Sequence, residues 1–161
     1  MRKAFALFAP AVILAGASAA SAALPAVGGG SAASAVRDCA AATSPETVDP
    51  DVLIQRGWKA AQYERDGEKV EAELAIFGKE RGAPIVMLSK DAAVCVVVGG
   101  LSSSAAFGEL RSSFGEAFTS AGSKGGDLRY MAGRDFVLLK PTGSKQEPAF
   151  RATVVELGEK K

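Results

Sequence analysis

Leu128 to Lys140 reads LRYMAGRDFVLLK, two alternating apolar runs around Gly133-Arg134. Glycine at the first position of a two-residue loop suits a type II′ turn, because it accepts positive φ without a steric cost. A hairpin closed there pairs Met131 with Phe136 and Tyr130 with Val137. The two-residue period then puts Leu128, Tyr130, Val137 and Leu139 on one face and Arg129, Met131, Phe136 and Leu138 on the other. Ala149 to Leu157 repeats the alternation, with Phe150, Ala152 and Val154 on one side and Arg151, Thr153 and Val155 on the other.

Upstream, Pro84 to Leu88 predicts a short strand. Ala93 to Val98 (AVCVVV) predicts a stronger one, and its lack of polar alternation suggests burial on both faces at the centre of a sheet. Phe107, Leu110, Phe114 and Phe118 recur at spacings of three and four, the period of one apolar helix face, behind Ser102-Ser103-Ser104 as cap. Gly108 and Gly115 each cost that helix about 1 kcal/mol relative to alanine, which suggests close packing at those positions. Asp49-Pro50-Asp51 opens a short helix with a capping carboxylate and a proline in the first turn, and Gly57 stops it. Trp58 follows as a core anchor. Residues 68–79 fit both periods; their Glu and Lys content leans them toward helix. Residues 121–127 and 141–148 read as loops.

Sequential strands on short turns favour antiparallel pairing, and the helices need a face on which to bury their apolar stripes. The expected fold is therefore α+β: two layers, a roughly five-stranded, mostly antiparallel sheet, and two or three helices packed on one face. The expected core holds Trp58, Phe107, Leu110, Phe114, Val96, Val98 and Leu139.

The N-terminus has Met1-Arg2-Lys3, an apolar run from Ala4 to Ala15 and small residues ending Ala20-Ser21-Ala22. This three-part pattern is that of a secretory signal peptide cleaved after Ala22, and its run is shorter than the roughly 20 residues a membrane span needs. In composition the chain resembles small, alanine-rich exported proteins of high-GC Gram-negative bacteria. Residues 23–36 (ALPAVGGGSAASAV) read as a flexible leader, and 37–161 as a single domain. The expected location is periplasmic or secreted, with no membrane span after cleavage. Cleavage takes the 19 basic residues of the 161-residue chain to 17, against 18 acidic ones. Near-neutrality without a basic block argues against nucleic acid as a partner. Cys39 and Cys95, the two cysteines, predict a disulfide in an exported chain.

The chain contains no histidine. That excludes Ser–His–Asp and Cys–His catalysis and histidine-ligated zinc. The common alternatives also lack their motifs: there is no S-x-x-K, no C-x-x-C and no phosphate loop. No cofactor or metal is implied. Two acidic clusters, Asp49 with Asp51 and Asp66 with Glu68 and Glu71, keep open a small enzyme using paired carboxylates. An inhibitor of another exported protein, acting through residues 121–127 and 141–148, is a further alternative. The favoured expectation is a non-enzymatic binding or envelope-accessory protein. Its candidate face is Arg129, Met131, Phe136, Leu138, Arg151 and Val155, and its partner another envelope or exported protein. The purified exported protein is expected to begin at Ala23 and to weigh about 2 Da less than its reduced form, as one disulfide requires. Intact-mass measurement with and without reductant checks both points.

Overall fold

The computed structural model describes residues 24–62, 64–65, 68–69, 74–89 and 91–157. The expected signal peptide at 1–22, the residues Asp66 and Glu71, and the tail 158–161 lie outside them. In chain order the elements are α1 (Gly29–Ala42), α2 (Pro50–Gln55), β1 (Lys59–Ala60), β2 (Glu64–Arg65), β3 (Glu68–Lys69), β4 (Leu74–Gly78), β5 (Ile85–Ser89) and β6 (Val94–Gly100). Then come α3 (Ala106–Ala117), β7 (Thr119–Lys124), β8 (Asp127–Ala132), β9 (Asp135–Gly143) and β10 (Pro148–Glu156). The class is α+β. One antiparallel sheet of eight strands runs β1-β4-β5-β6-β10-β9-β8-β7, and β2 and β3 form a separate two-stranded ribbon.

The hairpin at Gly133-Arg134 has the expected register, Met131 opposite Phe136 and Tyr130 opposite Val137. Gly133 takes φ +68°, as a type II′ turn requires. The sheet exceeds the expected five strands by β1, β4 and β7. Residues 74–78 pair with β5 as a strand, where residues 68–79 lean toward helix by composition. Their Leu74, Ile76 and Phe77 gain more from cross-strand packing than helix propensity offers. Residues 119–124 pair with β8 where residues 121–127 read as a loop. Gly125 and Gly126 carry positive φ and close this second hairpin in two residues. β9 likewise extends through Pro141 to Gly143, shortening the expected loop to residues 144–147.

The largest correction concerns residues 29–36, which form the first half of α1 and not a flexible leader. Ala32, Ala33, Ala35, Val36, Cys39 and Ala42 are all buried. Alanine is the best helix former, and its small side chain lets a helix axis approach a sheet closely, so little apolar volume suffices. Cys39 is bonded to Cys95 across 56 residues, clipping α1 onto β6. The expected domain start at 37 moves upstream accordingly. Pro25 and Val27 already bond to the backbone of Gly100, Val27 N–H donating at 3.0 Å and Gly100 N–H donating to the Pro25 carbonyl at 2.8 Å. A Cβ on Gly99 would meet Val27 Cγ2 at 2.7 Å and Phe150 Cε1 at 2.8 Å, so glycine is what admits the segment.

α2 follows the reading: Asp49 Oδ1 accepts from Asp51 N–H at 2.9 Å, Pro50 starts the helix, and Gly57 ends it at φ +86°. Trp58 is buried, and its Nε1–H donates to Asp38 Oδ2 at 2.9 Å. Arg56 Nη1 donates to Asp38 Oδ1 at 2.8 Å, and Lys79 Nζ lies 5.4 Å from the Trp58 ring centroid. Asp38 can be buried because both of its oxygens are met by donors and its charge by cations. This knot ties α1 to the α2–β1 connection. In α3, Leu110 and Phe114 are buried, and the Phe114 ring contacts Phe118 at 5.4 Å and Tyr130 at 5.6 Å. Ser103 Oγ accepts from Ala106 N–H at 3.3 Å, a weak form of the expected serine cap.

Gly108 and Gly115 do not mark close packing. Both are exposed, and a Cβ on either would meet nothing within 4 Å. The tight approach is on the partner helix, where a Cβ on Gly29 would strike the Ser113 side chain. Gly108→Ala and Gly115→Ala are therefore each expected to stabilise the fold by up to about 1 kcal/mol. Gly99→Ala is expected to destabilise it by about 1–3 kcal/mol through overpacking. Urea unfolding of the three variants, followed by circular dichroism, checks the signs.

Candidate binding surface on the open face of the sheet

The helices all lie on one side of the sheet. α1 packs on β6 and β10, and α3 on β7 and β8. The side chains they cover are Val86, Leu88, Cys95, Val97, Tyr130, Val137, Leu139, Ala152 and Val154, all buried. These are one parity of the strands, and Leu128, Tyr130, Val137 and Leu139 stand on it as the alternation expects.

The other parity faces away from the helices. The six candidate residues Arg129, Met131, Phe136, Leu138, Arg151 and Val155 all stand there, Arg151 exposed and the others half-buried. Registers bring them together: Arg129 opposes Leu138 and Met131 opposes Phe136 across β8–β9. Across β9–β10, Leu138 opposes Thr153, Phe136 opposes Val155, and Lys140 opposes Arg151. No helix covers them among the described residues.

The surface is wider than the sequence indicated. Val94, Val96 and Val98 stand on this open face and are half-buried, so β6 is not sealed on both faces and Val96 and Val98 are not in the core. The row Arg129–Leu138–Thr153 continues through Val96, Met87 and Ile76, crossing six strands. A sequence reading that scores AVCVVV as a central strand cannot see that its outer face lacks a cover. Recognising β4 as a strand was the missing signal, since it adds Leu74 and Ile76 to the same surface.

Charge gathers at one corner, with Lys59 on β1 standing alone among the described residues at the opposite edge of the face. Arg129, Lys140 and Arg151 share the corner with Asp127, whose Oδ2 is 2.6 Å from Lys140 Nζ. Arg129 Nε is enclosed with no acceptor. Neither Arg129 nor Arg151 forms an ion pair among the described residues, so the corner keeps positive charge that no described residue neutralises.

Of the two acidic clusters expected from sequence, that of Asp66, Glu68 and Glu71 has Asp66 and Glu71 outside the described residues, and Asp49 and Asp51 form no catalytic pair. Asp49 is spent as the helix cap, and Asp51 sits exposed in the first turn of α2. The pair that does assemble is Asp135 with Glu156, directly opposite in the β9–β10 register. Asp135 is buried and its Oδ1 has no partner. Burial, then the neighbouring Glu156 carboxylate, push its pKa up to about 6 against the weaker pull of its own backbone N–H and Arg134. Neither carboxylate lines the cavities formed by described residues. One of about 380 Å³ lies among Leu24, Gly100, Thr142, Glu147 and Pro148, and one of about 280 Å³ among Arg37, Phe118 and Ala132. Carboxylate-pair hydrolysis needs both groups around a substrate, and neither of these two cavities brings the pair to one.

Comparison with protein-family models, curated proteins and solved structures finds no match to this chain.

Asp135 has a measurable consequence. Its pKa is raised in the fold, so its ionisation opposes folding. That contribution is absent below the ordinary value near 3.8 and grows as pH rises through about 6. Asp135→Asn is expected to gain stability relative to the parent as pH goes from 4 to 7 and to show no gain at pH 4. Urea titrations across that range check it; a gain independent of pH would assign the effect to something other than the charge.

Proposed function

We propose that this is an exported, non-catalytic binding protein that docks another envelope or exported protein on the open face of its sheet. The observation that carries the reading is the row of open-face residues crossing six strands, apolar at Ile76, Met87, Val96 and Leu138, half-buried and uncovered by any described helix. Contiguous apolar patches on soluble proteins mark interaction sites. The mixture of Phe136, Met131 and arginine resembles an interface core, where aromatic residues, methionine and arginine are enriched.

The three-part N-terminal pattern and the Cys39–Cys95 bond support the exported location, since disulfides persist in oxidising compartments. Binding is favoured over catalysis because the site offers a broad flat surface and no cleft with convergent titratable groups. An enclosed carboxyl without access to solvent space does not supply one.

Leu138 lies in the middle of the face and outside the core, so Leu138→Glu tests the reading without emptying the interior. The variant is expected to keep the parent's circular dichroism spectrum and melting cooperativity. Immobilised on resin, it is expected to retain at least tenfold less of whatever envelope-extract protein the parent retains, on the scale of a central interface residue. Equal retention by parent and variant sinks the reading.

A further inference from the structure

The open face is long and narrow, with two arginines at one end and the single Lys59 of β1 at the other. From β4 to β8 it crosses six strands, about 24 Å at the usual 4.8 Å spacing, and its rows of alternate residues span about 14 Å along the strands. Ile76, Met87, Val96 and Leu138 run along its middle, and Arg129 and Arg151 stand at the β8–β10 end. We infer that the occupant of this face is an amphipathic α-helix of another protein, apolar along its seam and carrying carboxylates at the end that meets Arg129 and Arg151. The inference rests on the docking reading above and adds the partner's chemistry to it.

The dimensions fit one helix. Sixteen residues or so span about 24 Å, and a helix with side chains is about 10 Å across. A twisted sheet is saddle-shaped, concave along one diagonal. A rod can lie in that concavity, whereas a flat lipid surface cannot follow it. The opposite face of this sheet already carries two helices, α1 on β6 and β10 and α3 on β7 and β8.

Charge decides between a foreign partner and a second copy. A two-fold axis along the row would set the basic ends of two copies against each other, and one along the strands would set the basic corner of one copy over the β4–β5 end of the other. There the described open-face residues are Leu74, Ile76, Ile85, Met87 and Ser89, with Lys59 beside them on β1 and no carboxylate among them. Two guanidinium groups would then be desolvated against apolar side chains, a costly arrangement. Carboxylates from a partner helix supply the missing counter-charge and the acceptor that Arg129 Nε lacks.

The test uses the full mature protein and two fluorescein-labelled 18-residue peptides. Both carry a leucine and valine seam; one ends in three glutamates and its twin in three lysines. Fluorescence anisotropy is expected to show the glutamate peptide binding at least tenfold tighter than the twin at low salt, with the difference shrinking at 0.5 M NaCl. R129Q/R151Q is expected to erase the difference, and Leu138→Glu to remove binding of both peptides. Equal affinities for the two peptides, no binding of either, or an R129Q/R151Q variant that keeps the preference overturns the inference. So does sedimentation showing a dimer of the parent that Leu138→Glu dissolves, or binding to phosphatidylglycerol vesicles without binding to the peptide. If Leu138→Glu still loses the extract protein while peptide charge makes no difference, the acidic-helix inference alone falls. If extract retention ignores Leu138 as well, the docking reading falls with it.

Discussion

The seating of α1 on the sheet is the constraint on which the rest depends. It is a helix of glycine, serine and alanine with little apolar volume of its own, and it lies flat because its side chains are small. Burial of alanine methyl groups contributes modestly per residue. The Cys39–Cys95 bond supplements that burial by closing a loop of 56 residues, which contributes on the order of 2–4 kcal/mol. Asp38 on the same helix gathers Arg56 and Trp58, so the position of α1 also fixes where α2 ends and β1 begins. α3 then packs beside α1 at Gly29 and Ser113. With the three helices gathered on one side, no described helix covers the other side of the sheet.

That asymmetry is what makes the open face informative. Its apolar side chains alternate with core residues on the same strands, so they cannot be exchanged for polar ones by shifting register; a slip of one residue would expose the core. Their identity is nevertheless free to vary within the pleat. An antiparallel sheet with one solvated face ordinarily carries polar residues there. Here β4, β5, β6 and β9 carry Ile76, Met87, Val96 and Leu138 instead. The two arginines at one corner, against the single Lys59 at the far edge, give the surface a direction as well as an apolar character.

Much of this was legible in the sequence. The Gly133 hairpin, its register and its two faces followed from a period of two and one turn residue, and the six candidate residues do share a surface. The disulfide followed from cysteine count and the inferred compartment. What was missed had local causes. Residues 29–36 read as a leader because glycine and serine outweigh apolar content in a window, whereas their burial comes from tertiary contact with β6 and α3. Residues 74–78 read toward helix because their charged upstream neighbours lower the apparent strand signal. β7 is exposed along its whole length and polar, so its pairing with β8 left no hydrophobic trace. The glycines of α3 looked like contact points because only the whole fold shows that they face solvent. The Asp135–Glu156 pair sits 21 residues apart in sequence and becomes adjacent only through the β9–β10 register.

The last strand of the chain, β10, does not lie at an edge. It sits in the middle of the sheet, hydrogen-bonded to β6 on one side and β9 on the other. Until residues 148–156 are available, the β4–β5–β6 meander and the β7–β8–β9 meander are two half-sheets with no strand between them. Completion of the sheet therefore waits for residues 148–156. A polypeptide arranged in this way keeps its two half-sheets apart until that one strand has been synthesised, so the order of synthesis holds back the closing step.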